Sequence, residues 1–116
     1  MNSITKIKIK PMSVNEAWQG RRYKTKLYKA YEEELLLRLP NRLPEVIPVE
    51  GDLEVYYEFG ISTASDYDNP IKPFQDVLQK KYKFDDCRII KSTIIKKVVK
   101  KGEGYIIFEI KPLLSY

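Results

Sequence analysis

The chain has 116 residues, of which 43% are hydrophobic and 32% charged, and its formal net charge is +5. These values fit one soluble globular domain over residues 1–116, and no apolar run approaches the roughly 20 residues of a membrane span. The chain contains no histidine and one cysteine, Cys87. Histidine catalysis, histidine-bound zinc and an internal disulfide are therefore excluded, and we expect a cytoplasmic protein without a membrane partner. The positive charge suits either a polyanionic partner such as nucleic acid or simple solubility.

The first part of the chain predicts a strand, a loop and a long helix. Residues 4–10 alternate polar and apolar side chains, which is typical of a strand with a basic, solvated face. Residues 11–23 contain helix-breaking proline and glycine and are predicted to form a loop. Residues 25–39 predict a helix that begins after the N-cap Thr25 and is stopped by Pro40. Its apolar stripe recurs every four residues, at Leu27, Tyr31, Leu35 and Leu39.

The middle of the chain predicts a strand that leads into a second helix. Residues 40–51 are rich in proline and are predicted to form an extended loop, and residues 52–61 alternate as a strand does. Asn69 is the predicted N-cap of a helix over residues 70–81, with Pro70 as its first residue. Pro73 has no N–H for the first turn, so a start nearer Lys72 is the alternative. The side chains predicted to face the core are Leu53, Val55, Tyr57 and Phe59 on the strand and Ile71, Phe74, Val77 and Leu78 on the helix.

The end of the chain predicts two further strands, residues 88–99 and 104–111, joined by a tight hairpin at Gly102 and Gly104. The order of elements is then β-α-β-α-β-β. We expect an α+β fold in which a small mixed β-sheet carries two helices on one face.

Three aspartates and one lysine form the candidate active site. Asp66 and Asp68 lie two residues apart before the second helix, so in an extended chain their side chains leave on the same side. Lys72 follows in or next to the first helical turn, and Asp86 comes after the helix, where the chain must reverse to return to the pair. Carboxylates without histidine suit Mg²⁺ or Mn²⁺, which activates water and stabilises developing charge in phosphodiester hydrolysis. Turn and capping roles for these aspartates are the alternative that spacing alone leaves open.

The string DYDNPIKPFQDVL, followed by FDDCRII, resembles the signature of the RusA family of Holliday junction resolvases. The shared features are the D-x-D-N motif, a lysine three residues after the asparagine, a helix that contains Asp and Leu, and a D-D pair that opens a strand. The N-terminal string IKIKPMSVNEAW is also similar to the opening strand and loop of that family. The resemblance runs through nearly the whole chain in matching order.

The resemblance implies a RusA-like, Mg²⁺-dependent homodimeric endonuclease of phage or prophage type, with no small-molecule cofactor. Its substrate would be four-way junction DNA, resolved by two symmetric nicks. The resemblance places the catalytic, metal-binding aspartates at Asp66, Asp68 and Asp86, and the functionally important lysine, which we assign to the scissile phosphate, at Lys72. A non-catalytic DNA-binding accessory protein and a nuclease with a broader preference for branched or flap DNA are the alternatives.

The stretch before the aspartates departs from the family pattern. Family members often carry a basic run there, whereas residues 61–65 read ISTAS and carry no charge. We therefore expect other basic side chains to contact the DNA backbone, each adding salt-sensitive affinity. The predicted DNA-binding residues are Arg21, Arg22, Lys24, Lys26 and Lys72, with Lys80, Lys81 and Lys83 as an alternative set.

Overall fold

A four-stranded mixed sheet lies at the centre of the computed structural model, which describes residues 4–19, 23–41, 47–62 and 66–113. In chain order the elements are β1 (Thr5–Ile7), α1 (Val14–Ala17), β2 (Trp18–Gln19), β3 (Tyr23–Lys24), α2 (Lys26–Arg38), β4 (Leu53–Ile61), α3 (Ile71–Tyr82), β5 (Ile89–Val98) and β6 (Tyr105–Pro112). The sheet has the strand order β1-β6-β4-β5, and β2 pairs with β3 separately. The α+β class and the mixed sheet are confirmed.

β4 is an inner strand of the sheet. It leads into the turn that contains Asp66 and Asp68, here called the acidic turn. It pairs antiparallel with β6 and parallel with β5. The predicted alternation of buried and less buried side chains along β4 is confirmed, because successive side chains of a strand point to opposite faces. The side chains on its buried face are at most 1% exposed: Leu53, Val55, Tyr57 and Phe59. The other face carries the half-exposed Glu54 and Glu58.

α2 begins where the sequence predicts but buries a different side chain. The hydroxyl of Thr25 accepts a hydrogen bond from the Tyr28 N–H at 3.2 Å and so caps the helix. Tyr31, Leu35 and Leu39 are buried as predicted, whereas Leu27 is 61% exposed. Leu27 and Tyr28 are separated by about 100° of helix rotation, and Tyr28 takes the position against the core. Among the described residues, no helix is long and apolar enough to cross a membrane.

α3 packs the centre of the core through Phe74. The Phe74 ring meets the rings of Tyr57, Phe59 and Phe108 edge to face, at centroid distances of 5.3, 5.8 and 5.4 Å. Such edge-to-face contacts add stabilisation beyond the buried apolar area. Because α3 also contacts α2, the two long helices cover one face of the sheet, as predicted.

The predicted cap of α3 at Asn69 is wrong. The helix begins at Ile71, and the residue at its N-cap is Pro70, which makes no side-chain capping bond. Asn69 lies one residue earlier, in a turn, and its carbonyl accepts the N–H of Val14 at 2.9 Å. This bond ties the acidic turn to α1, an element that the sequence analysis did not anticipate.

The predicted hairpin between the last two strands is also wrong. β5 and β6 do not pair with each other, because β4 lies between them. Gly102 has a φ of +88° and lets the chain turn, as a hairpin would require. The segment after β5 instead crosses over the end of β4 to reach its other side.

The N-terminal segment differs from the prediction in two ways. The predicted strand over residues 4–10 is shorter, because β1 pairs with β6 over three residues only. The predicted loop over residues 11–23 contains α1, β2 and β3. The Ser13 hydroxyl caps α1 by accepting the Asn15 N–H at 3.1 Å, and Trp18 packs edge to face on Tyr28 at 5.6 Å.

Candidate active site

Asp66 and Asp68 lie in one turn between β4 and α3. The Asp66 carbonyl accepts the N–H of Asn69 and the Asp68 carbonyl accepts the N–H of Ile71, each at 3.2 Å. The backbone of the turn is therefore fixed by its own hydrogen bonds, and both aspartates are exposed to solvent. The turn thus presents two exposed carboxylates, whose oxygens are ligands of the kind that Mg²⁺ and Ca²⁺ prefer.

Lys72 lies on the first turn of α3, close to the acidic pair in sequence. Its Nζ is 3.4 Å from a carboxylate oxygen of Asp76, one helical turn further on. The lysine side chain is 65% exposed, so this ion pair is weak and a phosphate oxygen could replace Asp76. The sequence analysis missed Asp76, although the four-residue spacing of a lysine and an aspartate on one helix could have indicated it.

Asp86 begins a single turn of 3₁₀ helix, Asp86–Arg88, that leads into β5. The preceding Asp85 caps this turn, since its carboxylate accepts the Cys87 N–H at 3.0 Å, and this bond lowers the pKa of Asp85. Burial raises the pKa of the Tyr57 hydroxyl, and the negative charge of Asp86 raises it further. Asp85 is therefore a turn residue, and Asp86 is an exposed carboxylate near the buried edge of the core.

The three predicted catalytic aspartates, here called the acidic set, are divided between opposite ends of β4. Ile89, at the start of β5, pairs with the first residue of β4, so Asp86 precedes the sheet at that end. Asp66 and Asp68 follow the last residue of β4, and the 12 residues of α3 that separate the two ends span about 18 Å. Within the described ranges, no three His, Cys, Asp or Glu side chains are grouped so that they could hold a metal ion. The fold places Asp66 and Asp68 in one turn and leaves Asp86 apart from them.

Two of the predicted DNA-binding lysines, Lys24 and Lys80, contact another part of the protein. Lys24 Nζ lies 2.8 Å from Glu32, and Lys80 Nζ lies 2.9 Å from the other carboxylate oxygen of Glu32. Lys24 also lies over the ring of Tyr28, 5.2 Å from its centroid. Lys24 and Lys80 therefore share a partner within the protein, and their predicted contacts with DNA stay a prediction. The sequence analysis missed Glu32, because it is eight residues from one lysine and 48 from the other.

Of the other predicted DNA-binding residues, some have side chains that are held by hydrogen bonds within the protein and others have side chains that are exposed. Lys81 donates to the Leu36 carbonyl at 3.1 Å and to Asn41 at 2.7 Å, so it ties α3 to the end of α2. Lys26 and Lys83 are exposed. The predicted DNA contacts Arg21 and Arg22 lie outside the described residues, as does most of the uncharged stretch before Asp66.

Comparison with known proteins assigns this chain to a family. A family model described as endodeoxyribonuclease RusA matches residues 7–111, which is nearly the whole chain and includes the acidic turn, Lys72 and Asp86. A search of curated proteins found no match.

Proposed function

The chain belongs to the RusA family of endodeoxyribonucleases, and we propose that it resolves four-way DNA junctions as a homodimer that nicks two strands symmetrically. The observation that carries the proposal is the family match over residues 7–111, with the exposed acidic turn inside it. A four-way junction has two-fold symmetry, and one chain offers one set of catalytic carboxylates. Two copies related by a two-fold axis would present two sets to opposing strands.

We assign Mg²⁺, or Mn²⁺ in its place, as the metal on the chemistry of the donors. Asp66, Asp68 and Asp86 offer only carboxylate oxygens, the ligands that these cations prefer. The paired aspartates of the turn would hold the ion, and Asp86 would join them only if it came from a second copy or if the chain moved. When bound, the cation polarises the phosphate and lowers the pKa of a water molecule.

Lys72 is close to the aspartates and sufficiently exposed to bind the phosphate that is cut. It lies in the first turn of α3, directly after the turn that holds the two aspartates. Its ion pair with Asp76 is exposed at 3.4 Å and costs little to break. A cation held beside the developing negative charge of a phosphate lowers the barrier to cleavage.

The proposal is tested by incubating the purified protein with a synthetic four-way junction, a linear duplex and a flap, with Mg²⁺ or with EDTA. We expect paired nicks in the junction only when the metal is present. Asp68→Asn and Asp86→Asn should each reduce the rate by about 100-fold or more, because each removes a ligand charge. Junction binding should persist, since both side chains are exposed and their loss leaves the core intact.

Asp85→Asn is the matched control for Asp86→Asn. It removes a carboxylate from the neighbouring position, and asparagine can still cap the 3₁₀ turn. This control should cut at nearly the wild-type rate. Binding without cleavage in every metal would instead indicate an accessory protein, equal cutting of flap and junction would indicate a broader nuclease, and full activity of Asp68→Asn would refute the metal-site assignment.

A further inference from the structure

Tyr67 lies between the two aspartates of the acidic turn and exposes its ring to solvent. It is 58% exposed, and the other exposed aromatic side chain in the described part of the chain is Tyr23, at 72%. Single exposed apolar side chains are common on protein surfaces and need no explanation by themselves. The position of this ring, next to both carboxylates of the candidate active site, is what indicates a role in binding the substrate.

The backbone of the acidic turn holds Tyr67 at its tip. The N–H of Asn69 donates to the carbonyl of Asp66 at 3.2 Å, which closes a four-residue β-turn with Tyr67 and Asp68 at its two central positions. The bond from the Val14 N–H to the Asn69 carbonyl, at 2.9 Å, ties the same turn to α1. The ring therefore projects from a backbone that is anchored to the body of the protein.

Other aromatic side chains have partners within the protein, and Tyr67 differs from them. Trp18 packs edge to face on Tyr28 at 5.6 Å, and the hydroxyl of Tyr105 donates to Glu58 at 2.6 Å. Among the described residues, no ring contact or hydrogen bond of this kind engages the side chain of Tyr67. Both faces of its ring are therefore available to a ligand.

The charges around the acidic turn favour an uncharged contact with DNA. The carboxylates of Asp66 and Asp68 repel phosphates, and residues 61–65 carry no charge. An aromatic ring binds a nucleotide by stacking on its base, which requires no positive charge and tolerates any sequence because every base has a π face. Tyr67 can therefore hold a nucleotide at a place where the protein offers its backbone little ionic attraction.

We propose that Tyr67 stacks on a base at the branch point of the DNA, next to the phosphate that is cut. Inside a linear duplex both faces of a base are covered by its neighbours, whereas a base at a branch point ends an arm and can expose one face. Stacking on that face would make this site prefer branched over linear DNA. The inference rests on the proposed function and specifies how the same site recognises its substrate.

The first test compares three substitutions of Tyr67 in an Asp86→Asn background, in which binding can be measured without cleavage. Tyr67→Ala should weaken binding to a four-way junction by roughly 5- to 150-fold, the range that corresponds to loss of one stacked base. Tyr67→Leu keeps an apolar side chain without the flat ring and should also bind weakly, whereas Tyr67→Phe keeps the ring and should bind about as tightly as Tyr67. Binding to a linear duplex should be the same in all four proteins.

The salt dependence of binding distinguishes stacking from contact with phosphates. Removing a stacking ring releases no phosphate, so the slope of log affinity against log salt should be unchanged in Tyr67→Ala. Lys72→Ala is the matched control, because loss of one phosphate contact should make that slope less steep by about 0.9. A change of slope in Tyr67→Ala equal to that in Lys72→Ala would overturn the stacking contact.

The second test gives a signal only if the ring meets a base. A 5-iodouracil base, which cross-links to an aromatic ring stacked on it under light, is placed either at the branch point or in the middle of an arm. We expect a cross-link at Tyr67, located by mass spectrometry, from the branch-point label and none from the label within the arm. Circular dichroism should show that each variant is folded, since Tyr67 is outside the core.

The outcomes separate this contact from the proposed function. A protein that cuts junctions but forms no cross-link at Tyr67, and whose Tyr67→Ala variant binds junctions normally, would overturn the contact alone. A cross-link at Tyr67 in a protein that cuts no DNA would uphold the contact and overturn the activity. Equal losses on junction and duplex, or a loss in Tyr67→Phe as large as that in Tyr67→Ala, would overturn stacking at the branch point.

Discussion

At the scale of single residues, Glu32 is the charge that holds three elements together. It lies on α2 and binds Lys24 of β3 and Lys80 of α3, at 2.8 and 2.9 Å. Burial opposes ionisation of its carboxyl, but the hydrogen bonds from the two lysines outweigh burial and hold the pKa of Glu32 below its usual value. The carboxylate is therefore more readily ionised in the folded chain than in the unfolded one, so its charge stabilises the fold.

Glu32→Gln should lower the free energy of unfolding by about 1–2 kcal/mol at pH 7, or the Tm by roughly 4–8 °C. Because the folded pKa is lowered, the stabilisation is complete above the unfolded carboxyl's range and is lost as the pH falls through the folded pKa. The difference between wild type and variant should therefore shrink as the pH falls below the unfolded carboxyl's range, and it should be lost only once the pH has passed through the lowered folded pKa. Thermal melts across pH check this, with the neighbouring, exposed Glu33→Gln as control. Equal melting of the two variants at pH 7 would contradict the bridging role.

At the scale of elements, local patterns predicted the two long helices and β4, but they could not predict which strands pair with each other. α2, β4 and α3 follow from apolar periodicity and from the cap at Thr25, which involve neighbouring residues only. The predicted hairpin failed because a turn at Gly102 has the same sequence whether the flanking strands pair with each other or with a strand between them. Leu27 was predicted to face the core because it fits the helical stripe, but the next residue, Tyr28, is the one that is buried and packs against Trp18, a contact that lies outside the helix.

The end of α3 offers an element-scale prediction. Lys83 closes the helix with φ +57° and ψ +43°, a left-handed conformation that favours glycine, and its N–H donates to Gln79 at 2.8 Å. Lys83→Gly should raise the free energy of unfolding by about 0.5–1 kcal/mol, since glycine avoids the clash of Cβ in this conformation. Lys83→Ala removes the same side chain beyond Cβ and should bring no gain. Chemical denaturation of both variants measures the difference, and equal stabilities would show that Cβ strain is absent.

At the scale of the whole molecule, the sequence indicated which residues form the acidic set but not how far apart they lie. The D-x-D string before α3 and the D-D pair after it are readable as local motifs. Their separation depends on β5 running parallel to β4, which places the start of β5 at the start of β4. A parallel crossover of this kind is a property of the assembled sheet, and no local pattern around Asp86 specifies it.

The division of the acidic set leads to a complementation experiment with two inactive variants. If Asp86 of one copy serves Asp66 and Asp68 of the other, a heterodimer of Asp68→Asn and Asp86→Asn chains has one site with both defects and one intact site. Refolding the two variants together should restore about a quarter of the wild-type sites and nick junctions on one strand only. Asp66→Asn mixed with Asp68→Asn is the matched control, because both of its heterodimeric sites keep a defect and it should remain inactive. A mixture of Asp68→Asn and Asp86→Asn that also remains inactive, while light scattering shows mixed dimers, would place all three carboxylates of each site on one chain.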